Sequence, residues 1–216
     1  MTPVHHMWKM KQKNIIEAPM GEKTVLLHTC CAPCSSAIIE AMLANGITPV
    51  IYYCNPNIYP REEYEIRKDE CTRYAQSLGL EIVDADYDHE NWLEAVRGLE
   101  SEPERGGRCL KCFKLRLLRT AEYAASRGIR VITSTLASSR WKSLEQIIEA
   151  GNWACSQVEM RDSQLGVNIV PDKSPTYWGF NWKKGGLQER RLQIVKEYDF
   201  YNQLYCGCEF SMRKED

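Results

Sequence analysis

The chain alternates between short runs of apolar residues and longer segments in which apolar positions recur with a helical period. The short runs predict strands at 24–29, 48–57, 80–88 and 129–136. The longer segments predict helices at 35–46, 61–78, 89–99, 109–127, 143–158 and 187–198. Ser35 or Ser36 is expected to cap the first helix and Gly46 to end it. Strands that alternate with helices are typical of right-handed crossovers in a parallel sheet.

The predicted fold is therefore α/β: a single-domain parallel sheet with helices on both faces. The chain has 216 residues, enough to bury one core, and it shows no internal repeat or linker. Residues 1–22 lack periodicity, and we expect a flexible N-terminal arm there, followed by one domain over 23–216. From Asp162 onward the sequence is mixed and aromatic, and this C-terminal segment carries the last cysteines.

Three predicted strands are followed by residues whose side chains can bind a metal or a polar ligand. The first strand leads into Cys30 and Cys31, the second into Asn55–Asn57, and the fourth into Ser134–Ser139. Open α/β sheets bind ligands outside the carboxyl ends of their strands. We therefore expect these three loops to meet at one site.

Cysteine is the chemical signal that stands out. Of ten cysteines, seven fall into three close groups: Cys30, Cys31 and Cys34; Cys109 and Cys112; Cys206 and Cys208. Cysteines at such spacing can bind one metal centre, and thiolates prefer soft metals, so zinc or an iron–sulfur cluster is expected. Cys206 and Cys208 could instead form a redox disulfide. The polar first residues resemble no secretory signal, which favours an intracellular metal or redox site over a disulfide scaffold.

The amino-acid composition says little about which molecules the protein binds. Hydrophobic residues make up 44% of the chain and charged residues 26%, and the formal net charge is -1. No apolar stretch approaches the about 18–20 residues that cross a bilayer, so no membrane association is expected. Binding to a nucleic acid would depend on local basic runs, of which Arg105–Arg119 and Lys183–Arg191 are the candidates.

Polar residues near the cysteines suggest further roles. On the predicted helix 109–127, Arg108, Arg116 and Arg119 fall on the side of the cysteines, where they could offset a thiolate-bound metal, meet phosphates or simply face solvent. His28 is a candidate for supporting the metal ligands or for proton delivery. The loop with Asn55, Asn57 and Tyr59 could bind a polar substrate, and Ser138, Ser139 and Lys142 could form an anion site at a helix start.

Five motifs together resemble those of the QueH-type epoxyqueuosine reductases. In order along the chain they are HTCCAPCS, CNPNIYPREEY, CLKCFKLRL, STLASSRWK and YCGCEFS, and the resemblance runs from about Lys23 to Ser211. It implies an HUP/PP-loop-like sheet and a cytoplasmic enzyme that reduces epoxyqueuosine to queuosine at the wobble position of tRNAs with GUN anticodons. It also implies a four-iron–four-sulfur (4Fe-4S) cluster, no cobalamin, and a ferredoxin- or flavodoxin-type electron donor.

The resemblance also implies residue roles. Cys30, Cys31, Cys109 and Cys112 would bind the cluster. Cys206 and Cys208 would be a redox pair or, together with Cys34, ligands of a second, mononuclear iron. Separately from the resemblance, the chemistry of epoxide opening needs a proton donor, and His28, Tyr59 or Lys142 is the candidate for it. The predicted substrate-binding residues are Asn55, Asn57, Glu63, Ser138, Ser139, Arg116 and Arg119.

Three other functions remain open from the residues alone. A PP-loop tRNA sulfur transferase would share the fold but needs an SGGxDS loop for ATP, whereas HTCCAPCS stands there without a glycine, so ATP use is not expected. A non-catalytic zinc-binding RNA module would need only the ligands. A thiol–disulfide oxidoreductase would need only Cys206 and Cys208.

Overall fold

The computed structural model describes residues 15–164 and 174–212, and they form a five-stranded, all-parallel sheet. The strands lie in the order β3-β2-β1-β4-β5. Their bounds are β1 Thr24–Thr29, β2 Thr48–Tyr53, β3 Ile82–Asp84, β4 Val131–Ser134 and β5 Thr176–Tyr177. The order reverses between β1 and β4, which is the switch point where open α/β sheets bind ligands. The predicted parallel α/β fold is confirmed, but β5 was not predicted, since two residues are too short to show a pattern.

Helices cover both faces of the sheet. Their bounds are α1 Ala32–Ala44, α2 Arg61–Ser77, α3 His89–Ala95, α4 Gly107–Ser126, α5 Leu144–Gln164 and α6 Leu187–Glu197. Val25 and Leu27 of β1 pack into one core cluster with residues of α1, α2 and α6. Leu26, between them, packs into a second cluster with α4 and α5. The side-chain alternation of a strand thus divides the core into two layers.

The first helix begins earlier than predicted, at Ala32, with Cys31 as its N-cap residue. Ser35 and Ser36 are buried inside the helix, and the Ser35 hydroxyl donates to the Cys31 carbonyl at 3.0 Å. Pro33 in the first turn explains the early start, because its fixed φ suits a helix and its missing N–H costs nothing there. Cys34 therefore lies in the first turn of α1. Gly46 follows the helix at φ +69, as a glycine stop requires.

The packed domain begins upstream of residue 23. Ile16 and Ala18 are buried in the first core cluster, and the Ile16 amide donates to Asn45 Oδ1 at 3.1 Å. Residues 1–14 of the predicted arm lie outside the described part of the chain. Among the described residues, no helix combines the length and the apolar character needed to span a membrane.

Candidate metal centre and active site

The first cysteine group lies at the switch point of the sheet, between the end of β1 and the start of α1. The ligand atoms of Cys30, Cys31 and Cys34 all lie within 4.8 Å of one another, and the Sγ atoms of Cys30 and Cys31 are 3.8 Å apart. Sulfur atoms this close suit ligands of one metal ion or of neighbouring metal ions. The Thr135 hydroxyl, from the loop after β4, contacts the Cys30 sulfur at 3.4 Å. Two neighbouring strands thus position the trio, as predicted.

The three thiols differ in acidity. Hydrogen bonds from Cys31 and Cys34 hold the pKa of Cys30 well below its ordinary value. Burial raises the pKa of Cys31 well above its ordinary value, because a buried anion loses its hydration. Cys30 is therefore the thiol that ionises first, and so the one best prepared to bind a soft metal.

The second and third cysteine groups share one open pocket. Cys109 and Cys112 lie in the first turn of α4, and Cys206 and Cys208 lie in the loop after α6. All four line this pocket, together with Asn57, Trp92, Glu104, Arg105, Arg108, Phe113, Arg116, Trp141, Lys142 and Ser211. Cysteine sulfurs from the middle of the chain and from its C-terminal segment are thus brought to one place.

Arg116 of α4 is a buried cation between the cysteine groups. Its guanidinium donates to the Cys54 carbonyl at 3.1 Å and to Asn55 Oδ1 at 2.5 Å, and it reaches Cys112 Sγ at 3.9 Å. Only 2% of Arg116 is exposed. Among the interpretations left open for this residue, a phosphate contact and a solvated face do not fit, whereas charge compensation for sulfur ligands does.

Lys142 lies close enough to interact electrostatically with both the Cys30 group and Cys206 of the pocket. Burial would lower the pKa of its ammonium group, but the neighbouring Cys206, Cys30 and Cys34 sulfurs outweigh burial and raise that pKa. Lys142 therefore stays protonated near neutral pH, beside the thiols of the Cys30 group and of Cys206. A protonated amine lining the pocket can donate a hydrogen bond or a proton to a bound oxygen.

His28 does not face the pocket. Its Nε2 donates to the Cys54 carbonyl at 3.0 Å, and its Nδ1 accepts from the Ser134 hydroxyl at 2.8 Å. Burial, and then the charge of Arg116, lower the pKa of His28 to about 3, so the ring is neutral. The geometry therefore argues for a positioning role at the ends of β1, β2 and β4 rather than for the predicted proton delivery.

The two asparagines of the predicted substrate loop differ. Asn55 is fully buried, and its amide donates to the Thr29 carbonyl at 2.9 Å while its oxygen accepts from Arg116. Asn57 is 2% exposed and lines the pocket, and its Oδ1 has no hydrogen-bond partner. A buried amide oxygen without a partner is costly. Asn57 is thus the member of this loop that is available to a ligand, and Asn55 is structural.

Several other predicted substrate residues are engaged within the protein. The Ser138 hydroxyl donates to the Thr135 carbonyl at 2.8 Å, and Ser139 Oγ accepts from the Trp141 amide at 3.2 Å. The Arg119 guanidinium donates to the Ala85 carbonyl, away from the pocket lining. Their polar groups hold loops in place and do not converge on the pocket.

Glu63, predicted to bind substrate, is bonded to other residues of the protein. Its carboxylate accepts from Arg67 Nε at 2.7 Å and from the Tyr201 hydroxyl at 2.9 Å. Arg67 is 2% exposed, and it also donates to the carbonyls of Tyr205 and Cys206 at 3.3 and 3.4 Å. This buried pair on α2 therefore fixes the segment that carries the last two cysteines. The contacts of Arg67 with this segment could not be predicted, because they join residues far apart in the chain.

Tyr59 supports the same segment from the other side. Its amide donates to the Gly207 carbonyl at 2.9 Å, and its carbonyl accepts from the Tyr205 hydroxyl. Its ring is 42% exposed and stacks on His89 at a centroid distance of 5.6 Å. His89 lies 3.3 Å from the Glu209 carboxylate, just past the last cysteine. His89, like Arg67, thus supports the segment that carries the last two cysteines, and neither residue was predicted from the sequence.

Gly207, between the last two cysteines, should not tolerate a side chain. Its φ is +108, and an added Cβ would lie 2.9 Å from Ile58 Cγ1 and 3.1 Å from Arg67 Nη1. We expect Gly207→Ala to lower the free energy of unfolding by about 2–4 kcal/mol through backbone strain and overpacking. Gly98→Ala is the matched control, because Gly98 has φ +81 and open space around it, so about 1 kcal/mol is expected there. Urea unfolding of both variants checks this, and equal losses would contradict a role for close packing.

The predicted basic runs are largely used internally. Arg108 is 3% exposed and donates to the carbonyls of Leu99, Glu100 and Glu102, and Lys114 pairs with Glu149 at 2.9 Å. In the second run, Arg190 is paired with Glu40 at 2.7 Å and with Glu197 at 2.7 Å. The runs are therefore mainly structural, and contacts to phosphates would have to come from the exposed remainder.

Comparison with known proteins identifies the family. The family described as epoxyqueuosine reductase QueH matches residues 25–214, a span that contains all seven grouped cysteines. The chain belongs to this family. It is 44% identical to the epoxyqueuosine reductase QueH of Histophilus somni over 198 residues, which is 92% of this chain and 76% of that protein. It is 43% identical to the QueH of Acinetobacter baylyi over 92% of this chain and 84% of that protein.

More distant QueH relatives match nearly as much of the chain. The QueH of Thermotoga maritima is 31% identical over 193 residues, covering 88% of this chain and 90% of that protein. The resemblance seen in the five motifs is thus confirmed. The shared region includes the sheet, both helix starts that carry cysteines, and the C-terminal cysteine loop.

Proposed function

We propose that this oxidoreductase reduces epoxyqueuosine to queuosine in tRNA. One observation carries the proposal: in a chain of the QueH family, the Cys109–Cys112 and Cys206–Cys208 groups line one pocket, which Lys142 also lines. The reaction removes the epoxide oxygen as water and leaves a carbon–carbon double bond. It consumes two electrons and two protons.

The seven thiols suit a 4Fe-4S cluster with a second iron. Cys30, Cys31, Cys109 and Cys112 are the proposed cluster ligands, and their thiols lie at the N-terminal ends of α1 and α4, where helix dipoles favour negative charge. Cys34, Cys206 and Cys208 then remain for a mononuclear iron, or Cys206 and Cys208 act as a redox pair. Such a centre would supply single electrons as well as a Lewis acid, whereas zinc would supply only the Lewis acid.

The side chains of the pocket hold the substrate and supply protons. Asn57 Oδ1 is available to accept a hydrogen bond from a hydroxyl of the modified base. Lys142, whose raised pKa keeps it protonated, is the proposed donor to the departing oxygen. Arg116 compensates the negative charge of sulfur ligands from within the protein. Of the three predicted proton donors, His28, Tyr59 and Lys142, Lys142 is the one that lines the pocket.

The partners follow from the proposed reaction. The substrate is a tRNA with a GUN anticodon that carries epoxyqueuosine at the wobble position, and we place the reaction in the cytoplasm. A low-potential ferredoxin or flavodoxin is the proposed electron donor, and neither cobalamin nor ATP is required. Each point is open to test with purified components.

Loss of the α4 cysteines should abolish the reaction. We expect Cys109→Ser and Cys112→Ser each to lose most bound iron and to lower turnover by about 100-fold or more, since even residues that only support metal ligands cost 10–100-fold. Anaerobic absorbance, iron analysis and reduction of epoxyqueuosine-containing tRNA measure both effects. Cys155→Ser is the control, because Cys155 is a buried cysteine of α5 outside the three groups. Full activity in either α4 variant would refute the assignment.

A further inference from the structure

An exposed tryptophan stands at the rim of the pocket, and no role has been assigned to it. We propose that Trp141 is a stacking platform for a nucleobase that neighbours the wobble nucleotide in the tRNA. The inference rests on the proposed function and adds to it a specific contact with the substrate.

Trp141 combines exposure with proximity to the chemistry. Half of it, 50%, is exposed, yet it lines the same pocket as Cys109 and Cys206. Trp92, the other tryptophan of the pocket, is fully buried and packs against Phe210. A large exposed aromatic ring beside a pocket is poorly explained by core packing, and it suits a partner that brings an apolar face.

The loop that carries Trp141 is held in place from several directions. Arg105 donates to the Trp141 carbonyl at 3.1 Å and to the Arg140 carbonyl at 2.8 Å. The Trp141 amide donates to Ser139 Oγ, and Gln146 Nε2 donates to the Arg105 carbonyl at 2.8 Å. These bonds join the start of α4 to the loop after β4. A platform fixed before binding loses little entropy when a base stacks on it.

The charges around Trp141 select the chemistry of the partner. Of the arginines that line the pocket, Arg105 is exposed and donates to the Trp141 carbonyl, whereas Arg108 and Arg116 are buried and bonded within the protein. The guanidinium of exposed Arg140 lies 4.7 Å from the centroid of the Trp141 ring. Aromatic rings among basic side chains are the usual means by which proteins hold single-stranded nucleic acid. An anticodon loop offers both phosphates and unpaired bases.

When the wobble nucleotide enters the pocket, the base next to it loses a stacking partner, which the Trp141 ring can replace. Enzymes that act on a nucleobase commonly take it out of the stack of its neighbours, and unstacking costs a few kcal/mol. The neighbouring base then exposes one face to water. The Trp141 indole, at the rim of that pocket, is placed to cover it.

A double-mutant cycle tests the contact directly. The wild type and Trp141→Ala are each tested with three anticodon stem–loops that carry epoxyqueuosine. One is the natural stem–loop, one is abasic on the 5′ side of the wobble position, and one is abasic on its 3′ side. We expect Trp141→Ala to weaken binding of the natural stem–loop about 5- to 100-fold, the range of base–aromatic stacking. It should raise KM with little change in kcat. Trp141→Tyr should restore most of the affinity.

The abasic substrates decide the interpretation. If the inference is correct, one abasic position removes most of the Trp141 effect, so the two changes are not additive. Additive effects at both positions, or unchanged KM in Trp141→Ala, would overturn it. Iron loss in Trp141→Ala would also overturn it, because the role would then be support of the metal site.

Two controls separate this inference from the proposed function. Met160→Ala removes an equally exposed side chain on α5, 50% exposed, and should leave affinity unchanged. Reduction of epoxyqueuosine by the wild type tests the proposed function. The double-mutant cycle tests the contact of Trp141 with the substrate independently of it. No reduction by iron-loaded wild type would defeat the proposed function, whatever the cycle gives.

Discussion

Replacing Arg116 with methionine should lower the reduction potential of the proposed iron–sulfur centre by on the order of 100 mV and reduce the iron content of the protein. The guanidinium lies 3.9 Å from Cys112 Sγ, and it is buried, so solvent screens it little. A unit charge about 4–8 Å away contributes about 2–4 kcal/mol at an effective dielectric of ~20, and about 1.4 kcal/mol corresponds to 59 mV for one electron. Without the cation, the more negative reduced state is destabilised. Redox titration of the anaerobically purified variant measures the shift.

Two further variants separate charge from hydrogen bonding at this position. Arg116→Lys keeps the charge but cannot form both bonds to Cys54 and Asn55, so it should retain most of the potential and still lose stability. Arg119→Met, one turn further along α4, removes an arginine that contacts the Ala85 carbonyl and does not line the pocket, so the potential should not move. Equal shifts in Arg116→Met and Arg119→Met would show that Arg116 has no special electrostatic role.

Arg116 also illustrates what the sequence could predict. The helical period of α4 placed this arginine on the side of the cysteines, which the structure confirms through its contact with Cys112. It did not show that this side is covered by the loop after β2, and burial is what distinguishes charge compensation from a solvated face. Periodicity reports the direction of a side chain from its own helix, not what another element brings against it.

The convergence of loops was predictable for a general reason. Parallel strands place their carboxyl ends at one edge, so the residues after β1, β2 and β4 had to lie together, as the bonds of Cys30 to Thr135 and of Asn55 to Thr29 show. The position of Cys206 and Cys208 could not be obtained in this way. It depends on contacts between Arg67 and residues more than 130 positions away, which no local pattern contains.

Replacing Arg67 with methionine should cost about 3–5 kcal/mol of unfolding free energy, because it leaves the Glu63 carboxylate buried without its cation. Only 2% of the Arg67 side chain and 9% of the Glu63 side chain are exposed, so water cannot readily replace the lost partner. The double variant Arg67→Met with Glu63→Met should recover much of this loss, since a buried ion pair and an apolar pair of similar size are often about equally stable. Urea unfolding measures each step.

The same variants test whether the pair positions the cysteine loop. Arg67 donates to the carbonyls of Tyr205 and Cys206, and the apolar double variant cannot replace these bonds. Amide hydrogen exchange in the segment 201–208 should therefore accelerate in both Arg67 variants, even where global stability has returned. Arg73→Met is the matched control, since Arg73 lies on the same helix and contacts Tyr198 and Phe200 upstream of the cysteines. If exchange in 201–208 followed global stability alone, the ion pair would stabilise the fold without positioning Cys206 and Cys208.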